Sequence, residues 1–189
     1  MRSLILCEGL DEVLILGYFL FKTQGWYYNP EAVFAETYSL PKIDSQNQVL
    51  EVYTKDEDVL AIWAVGGKDS FDKAYKFIAR INEQHPEQGI NKVFIVTDRD
   101  TGDIQSCLEN IREKMNLYGL NISDLNNTQQ NQYMYEVEDE TYCLDIIPVI
   151  IPFDSNGAIE NVLMAGIAEK GEEERYIVDS ANTYFLKLG

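Results

Sequence analysis

Lys92-Val93-Phe94-Ile95-Val96-Thr97-Asp98-Arg99-Asp100 is a short apolar run that ends in carboxylates. It has a counterpart at the start of the chain, Ser3-Leu4-Ile5-Leu6-Cys7-Glu8-Gly9-Leu10-Asp11-Glu12. A short, uninterrupted apolar run reads as a strand buried on both faces. Carboxylates that follow such strands lie at the carboxyl edge of a sheet, where open α/β folds build their sites. If the two strands are neighbours, Glu8, Asp98 and Asp100 converge, and their mutual repulsion calls for a cation.

Outward from these two runs, residues 2–7 predict the first strand. Asp11 to Phe21 predicts a largely buried helix that ends near Gly25. Residues 26–48 are ambiguous, because Pro30 and Pro41 interrupt them; Val33-Phe34 is a candidate short strand. Val49–Thr54 alternates weakly, and Val59–Val65 is a stronger strand stopped by Gly66-Gly67. Helical spacing of Phe71, Ala74, Phe77, Ile78 and Ile81 predicts a helix over 70–81. A second such pattern, Ile104, Cys107, Leu108, Ile111 and Met115, predicts one from about Asp103 to Leu117. The Asn/Gln-rich segment at about 121–132 reads as a flexible polar loop. Residues 133–137 and 141–151 read as a hairpin or consecutive strands around Asp139-Glu140, Ala158–Ala168 as a helix, and Glu169–Arg175 as a charged turn. Strands alternating with helices predict an α/β fold with a mainly parallel central sheet flanked by helices, in one domain over residues 1–189. The apolar Tyr184-Phe185-Leu186 close to the end of the sequence suggests a missing C-terminal portion.

Composition narrows the chemistry. A 189-residue chain that is 46% hydrophobic can bury a real core. No segment reaches the apolar length of a membrane span. Glu8, Asp11 and Glu12 interrupt the only stretch that resembles a signal peptide, so a cytoplasmic location is expected. Cys7, Cys107 and Cys143 form no Cys-x-x-Cys, and the sole histidine, His85, precedes Pro86 in a polar loop. A zinc site or a histidine-based nucleophilic triad is therefore not expected. Cys7 and Cys143 read as core thiols, and His85 as solvated. The formal net charge of −17 opposes nonspecific binding of nucleic acid, and no basic stripe is evident. A nucleic-acid substrate stays compatible with that charge if divalent ions invert the local field, or if a basic partner or a missing domain supplies cations.

The carboxylates carry the chemistry. Strand alternation would put Asp98 and Asp100 on one face, where the pair could share Mg²⁺. Such pairs also occur as helix caps, but Asp103 or Thr101 is the better cap for the helix that follows. Glu8 ends a strand, and Gly9 beside it leaves room for a bound phosphate or ion. Asp11 and Glu12 fall in the first turn of a helix, where they favour the helix dipole; Glu12 has the alternative of approaching the metal. Glu160, early in a later helix, has the same two readings. Lys68 after Gly66-Gly67 either contacts phosphate or is solvated. Arg99 pairs with the carboxylates, contacts phosphate or faces solvent.

Glu8-Gly9 with Asp98-Arg99-Asp100 resembles the signature of the Toprim domain, the metal-binding catalytic module of topoisomerases, DnaG-type primases and several nucleases. Glu8-Gly9-Leu10-Asp11-Glu12 is most similar to the opening of OLD-like nucleases and of small stand-alone Toprim-like proteins of uncharacterised function. Gly66-Gly67-Lys68, Ile151-Pro152-Phe153 and Gly157-Ala158-Ile159-Glu160 resemble later segments of those small proteins, so the likeness runs over about residues 2–168. It departs at Arg99, a bulky cation where the family commonly has a small residue or another acid. The resemblance implies a Toprim-like, Rossmann-like sheet and an Mg²⁺ (or Mn²⁺) dependent phosphodiester cleavage or nucleotidyl transfer on nucleic acid. It implies Asp98 and Asp100 as metal ligands, with Glu8 as a general acid/base or a further ligand.

Two rival readings stand beside it. Asp98-Arg99-Asp100-Thr101 also resembles the Asp-x-Asp-x-Thr nucleophile of haloacid-dehalogenase-like phosphatases, with Thr101 directly after Asp100. That motif normally sits on the first strand, Lys114 and Lys170 are not obviously placed to complete it, and Glu8-Gly9 would be left unexplained. The other is a non-catalytic, metal- or nucleotide-binding regulatory module of the Toprim-like type, which keeps the acidic pocket without turnover.

Overall fold

The computed structural model describes residues 1–42, 48–154 and 157–186, with the side chains of 181–186 left out. The chain folds as α/β, with helices flanking a seven-stranded sheet. The strands are β1 (Arg2–Cys7), β2 (Tyr27–Tyr28), β3 (Val49–Lys55), β4 (Asp58–Ala64), β5 (Lys92–Asp98), β6 (Asn131–Val137) and β7 (Glu140–Ile151), in the spatial order β2-β3-β4-β1-β5-β7-β6. The helices are α1 (Leu10–Phe19), α2 (Phe71–Gln84), α3 (Ile104–Leu117), α4 (Ile159–Ala168) and α5 (Glu172–Leu186).

The expected mainly parallel sheet is instead mixed. The four central strands β4-β1-β5-β7 run parallel, whereas β2-β3, β3-β4 and β6-β7 pair antiparallel. Connection length decides which is which. A helix can cross over between β4 and β5, but the two residues Asp56-Glu57 between β3 and β4 can only reverse the chain. Between β6 and β7 the reversal is Glu138-Asp139, both left-handed at φ 51° and 70°, as a two-residue hairpin turn requires.

Burial follows the alternation of the two opening runs. Leu4, Leu6, Val93 and Ile95 enter the core beneath α2 and α3, together with Ile78, Ile111 and Met115. Ile5, Cys7 and Val96 face the other side, where Val13 and Leu20 pack on them. On the first side Asn82, 2% exposed, gives and receives a hydrogen bond with the Ile90 backbone and so ties α2 to the approach of β5.

Several expectations change. The helix over 11–21 is not largely buried: Leu10, Leu14, Tyr18 and Phe21 are exposed, because only one stripe of α1 meets the sheet. It continues as a π-helical turn, Leu20–Gln24, to left-handed Gly25 at φ 71°. Val33-Phe34 forms no strand; Phe34 is instead buried in the core beside Trp63. Part of the ambiguous 26–48 stretch, residues 43–47, lies outside the described residues. The 121–132 loop is pinned rather than free, with Ile122 and Leu125 buried and the Asn127 amide bonded both ways to Ile150. The charged turn at 169–175 shrinks, since α5 already starts at Glu172. His85 stacks on Tyr38, with ring centroids 5.8 Å apart, and is half-buried. No helix among the described residues is long and apolar enough to cross a membrane.

Candidate functional site

β1 lies between β4 and β5, so the chain leaves β1 first to one side and then to the other. A crevice opens at such a switch point, outside the carboxyl ends of the strands. Glu8, Gly66-Gly67-Lys68, Asp98 and the start of α4 meet there.

Glu8 is fixed by the strand that follows it in space. Its Oε1 accepts the Thr97 hydroxyl at 2.6 Å and the Asp98 N–H at 3.0 Å. Its carbonyl accepts N–H groups from Gly66 and Gly67, at 3.0 and 2.9 Å. Gly66 and Gly67 adopt φ of 88° and 106°, a left-handed pair that glycine adopts without strain. Lys68 is thereby delivered to the site. Its ammonium donates to the Asp98 carbonyl at 2.7 Å, stands 3.7 Å from Glu8 and bonds the Asp100 carboxylate. Burial lowers the pKa of Lys68, but the bond to Asp100 and the charges of Glu8 and Asp100 outweigh it and raise the value.

Asp98 and Asp100 do not share a face, contrary to strand alternation. β5 ends at Asp98, and Asp100 turns to φ 51° while pairing with Gly157 through two backbone hydrogen bonds of 2.8 Å. Asp100 therefore meets Lys68 at the exposed rim, whereas Asp98 Oδ1 accepts the first N–H of α4, from Ile159, at 2.9 Å. Asp103 caps α3 by accepting the Ser106 N–H at 2.7 Å, as expected of the better capping residue.

Glu12 is 7% exposed, and its Oε2 accepts the Gly9 N–H at 3.1 Å, the one half of a capping box that a glycine at this position permits. Burial raises its pKa, with further upward pressure from Glu8 and Glu160. Asp98 is pushed up to about 6, first by burial and then by the charges of Glu8, Glu12 and Glu160, which outweigh the Ile159 hydrogen bond. Burial, with the charges of Glu12 and Glu8, also pushes the Cys7 thiol up. Four carboxylates thus concentrate negative charge: Glu8, Glu12, Asp98 and the exposed Glu160. Asp100 joins them through Lys68, whose ammonium lies between it and Glu8.

Two expected phosphate contacts are engaged elsewhere. Arg99 donates to the Gly102 carbonyl at 2.9 Å and to that of Phe153 at 3.4 Å, so it braces the loop after β5. The Gly9 N–H serves Glu12, and a Cβ at Gly9 would lie 3.2 Å from the Glu12 carboxylate. Sequence reasoning missed Thr97 and the Ile159 N–H. Thr97 was visible beside Asp98; the Ile159 contact spans 61 residues and left no local signal.

Beside the carboxylates lies a cavity of about 310 Å³ between α2 and α3. Phe71, Tyr75, Ile95 and Ile111 supply apolar walls, and Lys68, Thr97, Asp98, Asn110 and Lys114 supply polar groups. A largely apolar cavity with a few convergent polar groups is the usual form of a small-ligand site.

The donor set consists of hard carboxylate oxygens, which suits Mg²⁺ or Mn²⁺. Burial and the neighbouring carboxylates together disfavour the charged form of Asp98, and a bound cation would relieve both. No cluster of three or more side chains among the described residues is already drawn into coordinating geometry. Glu12 and Asp98 each spend one oxygen on a backbone N–H.

No protein-family model matches the chain, and no curated protein matches it. Among solved structures, the crystal structure of hypothetical protein PH0156 from Pyrococcus horikoshii OT3 is similar, with a TM-score of 0.59 and 18% identity. The likeness covers 96% of this chain and 75% of that one, and at this identity it speaks for the fold alone.

Proposed function

We propose that the chain is a Toprim-like protein whose acidic site binds Mg²⁺ or Mn²⁺ and cleaves, or transfers to, a phosphodiester of nucleic acid. The observation that carries this reading is the gathering of Glu8, Glu12 and Glu160 about a half-buried Asp98 at the carboxyl edge of the parallel strands, where burial first and these charges second push the Asp98 carboxyl up to about 6.

Glu8 and Asp98 would hold the cation, with Glu12 and Glu160 completing its charge balance. A bound divalent ion supplies Lewis-acid polarisation of a phosphoryl oxygen and offsets charge in the transition state. The chain's own residues do the rest. Thr97 O–H and the Asp98 N–H orient Glu8 through Oε1, which leaves Oε2 for a ligand bond or a proton. Lys68, held by the Asp98 carbonyl at the rim of the cavity, presents an ammonium to a phosphate oxygen.

The second reading is a non-catalytic regulatory module, favoured by the Asp100–Lys68 pair, which neutralises one of the two motif carboxylates. Cleavage of labelled single- and double-stranded DNA and RNA with Mg²⁺, Mn²⁺ or EDTA separates the two. We expect metal-dependent cleavage that is lost in Glu8→Gln. Metal binding without cleavage of any substrate would favour the regulatory module.

A further inference from the structure

The sequence shows no basic stripe, yet the fold assembles one. Lys73, Lys76 and Arg80 share a face of α2 at spacings of three and four residues, and Lys42 approaches from the segment before β3. Together they ring a groove of about 230 Å³ whose floor is Trp63 and Phe77. Among the described residues its lining holds Lys42, Lys73, Lys76 and Arg80 and no Asp or Glu. All four cations are exposed, and none forms an ion pair among the described residues.

A second observation points to a ligand. Trp63 is 3% exposed, and its indole N–H, buried in the wall of this groove, has no hydrogen-bond partner among the described residues. An unpaired buried donor costs about 1–3 kcal/mol, which an oxygen entering the groove would recover. Four cations and a donor, with no acid among the described lining residues, select an anion. Lys73 and Arg80 are seven residues apart on α2, or about 10 Å along its axis, so the row is longer than one phosphate. The groove shares no lining residue with the cavity beside Asp98. The acids of the same helix, Asp72 and Glu83, lie outside the groove lining.

We propose that this groove binds consecutive backbone phosphates of a single nucleic-acid strand and supplies the basic surface that the rest of the chain lacks. Its use in cleavage rests on the function proposed above; its binding of the strand does not depend on a metal.

The test is fluorescence anisotropy of a labelled 12-nucleotide DNA strand in EDTA, at salt from about 50 to 200 mM. The wild type should bind with an affinity that falls as salt rises. Lys73→Gln/Lys76→Gln/Arg80→Gln should weaken binding at least tenfold and flatten the log–log salt slope by about 2, at about 0.7 for each phosphate that is no longer neutralised. Trp63→Phe, which keeps an aromatic ring and removes the N–H, should weaken binding several-fold. Lys170→Gln, which removes an exposed cation outside the groove, should bind as the wild type does. Unchanged affinity and slope in the triple variant, or no wild-type binding at 50 mM salt, would overturn the proposal. Displacement of the strand by pyrophosphate at or below the strand's own Kd would also overturn it, by making a free phosphate the ligand. Strand binding by a wild type that cleaves nothing would count against the nuclease reading and leave the groove standing.

Discussion

Asp98→Asn should make the metal-free protein more stable at neutral pH, although it alters a buried hydrogen-bonded site. The native carboxyl keeps its proton up to about 6, whereas the usual value is 3.8. Protonation therefore favours the native state: the penalty is absent below pH 4, grows between 4 and 6, and is complete above about 7. A displacement of that size corresponds to about 3 kcal/mol before screening. Asp98 is only half-buried, and solvent screening reduces this to about 1–2 kcal/mol. Asparagine abolishes the charge and keeps an Oδ1 to accept the Ile159 N–H. In EDTA at pH 8, urea or thermal unfolding should show the variant more stable by that amount, or about 3–6 °C in Tm for a chain of this size. The advantage should vanish by pH 4. Magnesium should reverse the order: at a hundredfold its Kd a bound cation adds about 2.7 kcal/mol to the wild type, and little to the variant. A variant no more stable than wild type at pH 8 would refute the claim that burial and the neighbouring carboxylates disfavour the charged form of Asp98.

Other perturbations probe separate parts of the account. Lys68→Ala removes a partly exposed ion pair, so stability should fall by about 1 kcal/mol or less, while metal-dependent turnover falls by about 10²-fold or more. Unchanged turnover would make Lys68 a structural partner of Asp100 and nothing else. Asn82→Ala should cost about 2–3 kcal/mol in chemical denaturation, because it strands the buried N–H and carbonyl of Ile90; a fall under about 0.5 kcal/mol would contradict that pairing. Gly157→Ala should cost about 1–3 kcal/mol, since φ is 137° and the new methyl meets the Asn161 side chain. A neutral outcome there would show that the Asp100–Gly157 bridge is not held as described.

The parallel centre of the fold was legible because β1 and β5 are continuous apolar runs that only a doubly covered sheet accommodates. The antiparallel flanks were not, since Val49–Thr54 and Asn131–Val137 are half-polar and their pairing is settled by two-residue turns. The exposed stripe of α1 reads as core in the sequence: Leu10, Leu14, Tyr18 and Phe21 look like a buried face, and nothing in the residues says that no partner covers them within the chain. At the site, Glu8 and Asp98 meet as their strand ends required. Asp100 escaped the alternation rule because the strand stops two residues earlier, a consequence of its bridge to Gly157. The basic groove was hidden for a related reason. Lys42 is distant in sequence, and Lys73, Lys76 and Arg80 align only once α2 is placed beside Trp63.

The central claim is that Glu8 and Asp98 form a hard-cation site, and calorimetric titration of Mg²⁺ and Mn²⁺ into the wild type and Asp98→Ala tests it most directly. The account predicts saturable binding to the wild type and its loss in the variant. Equal affinity in both proteins, or no binding to the wild type, would return these carboxylates to ordinary loop and capping roles.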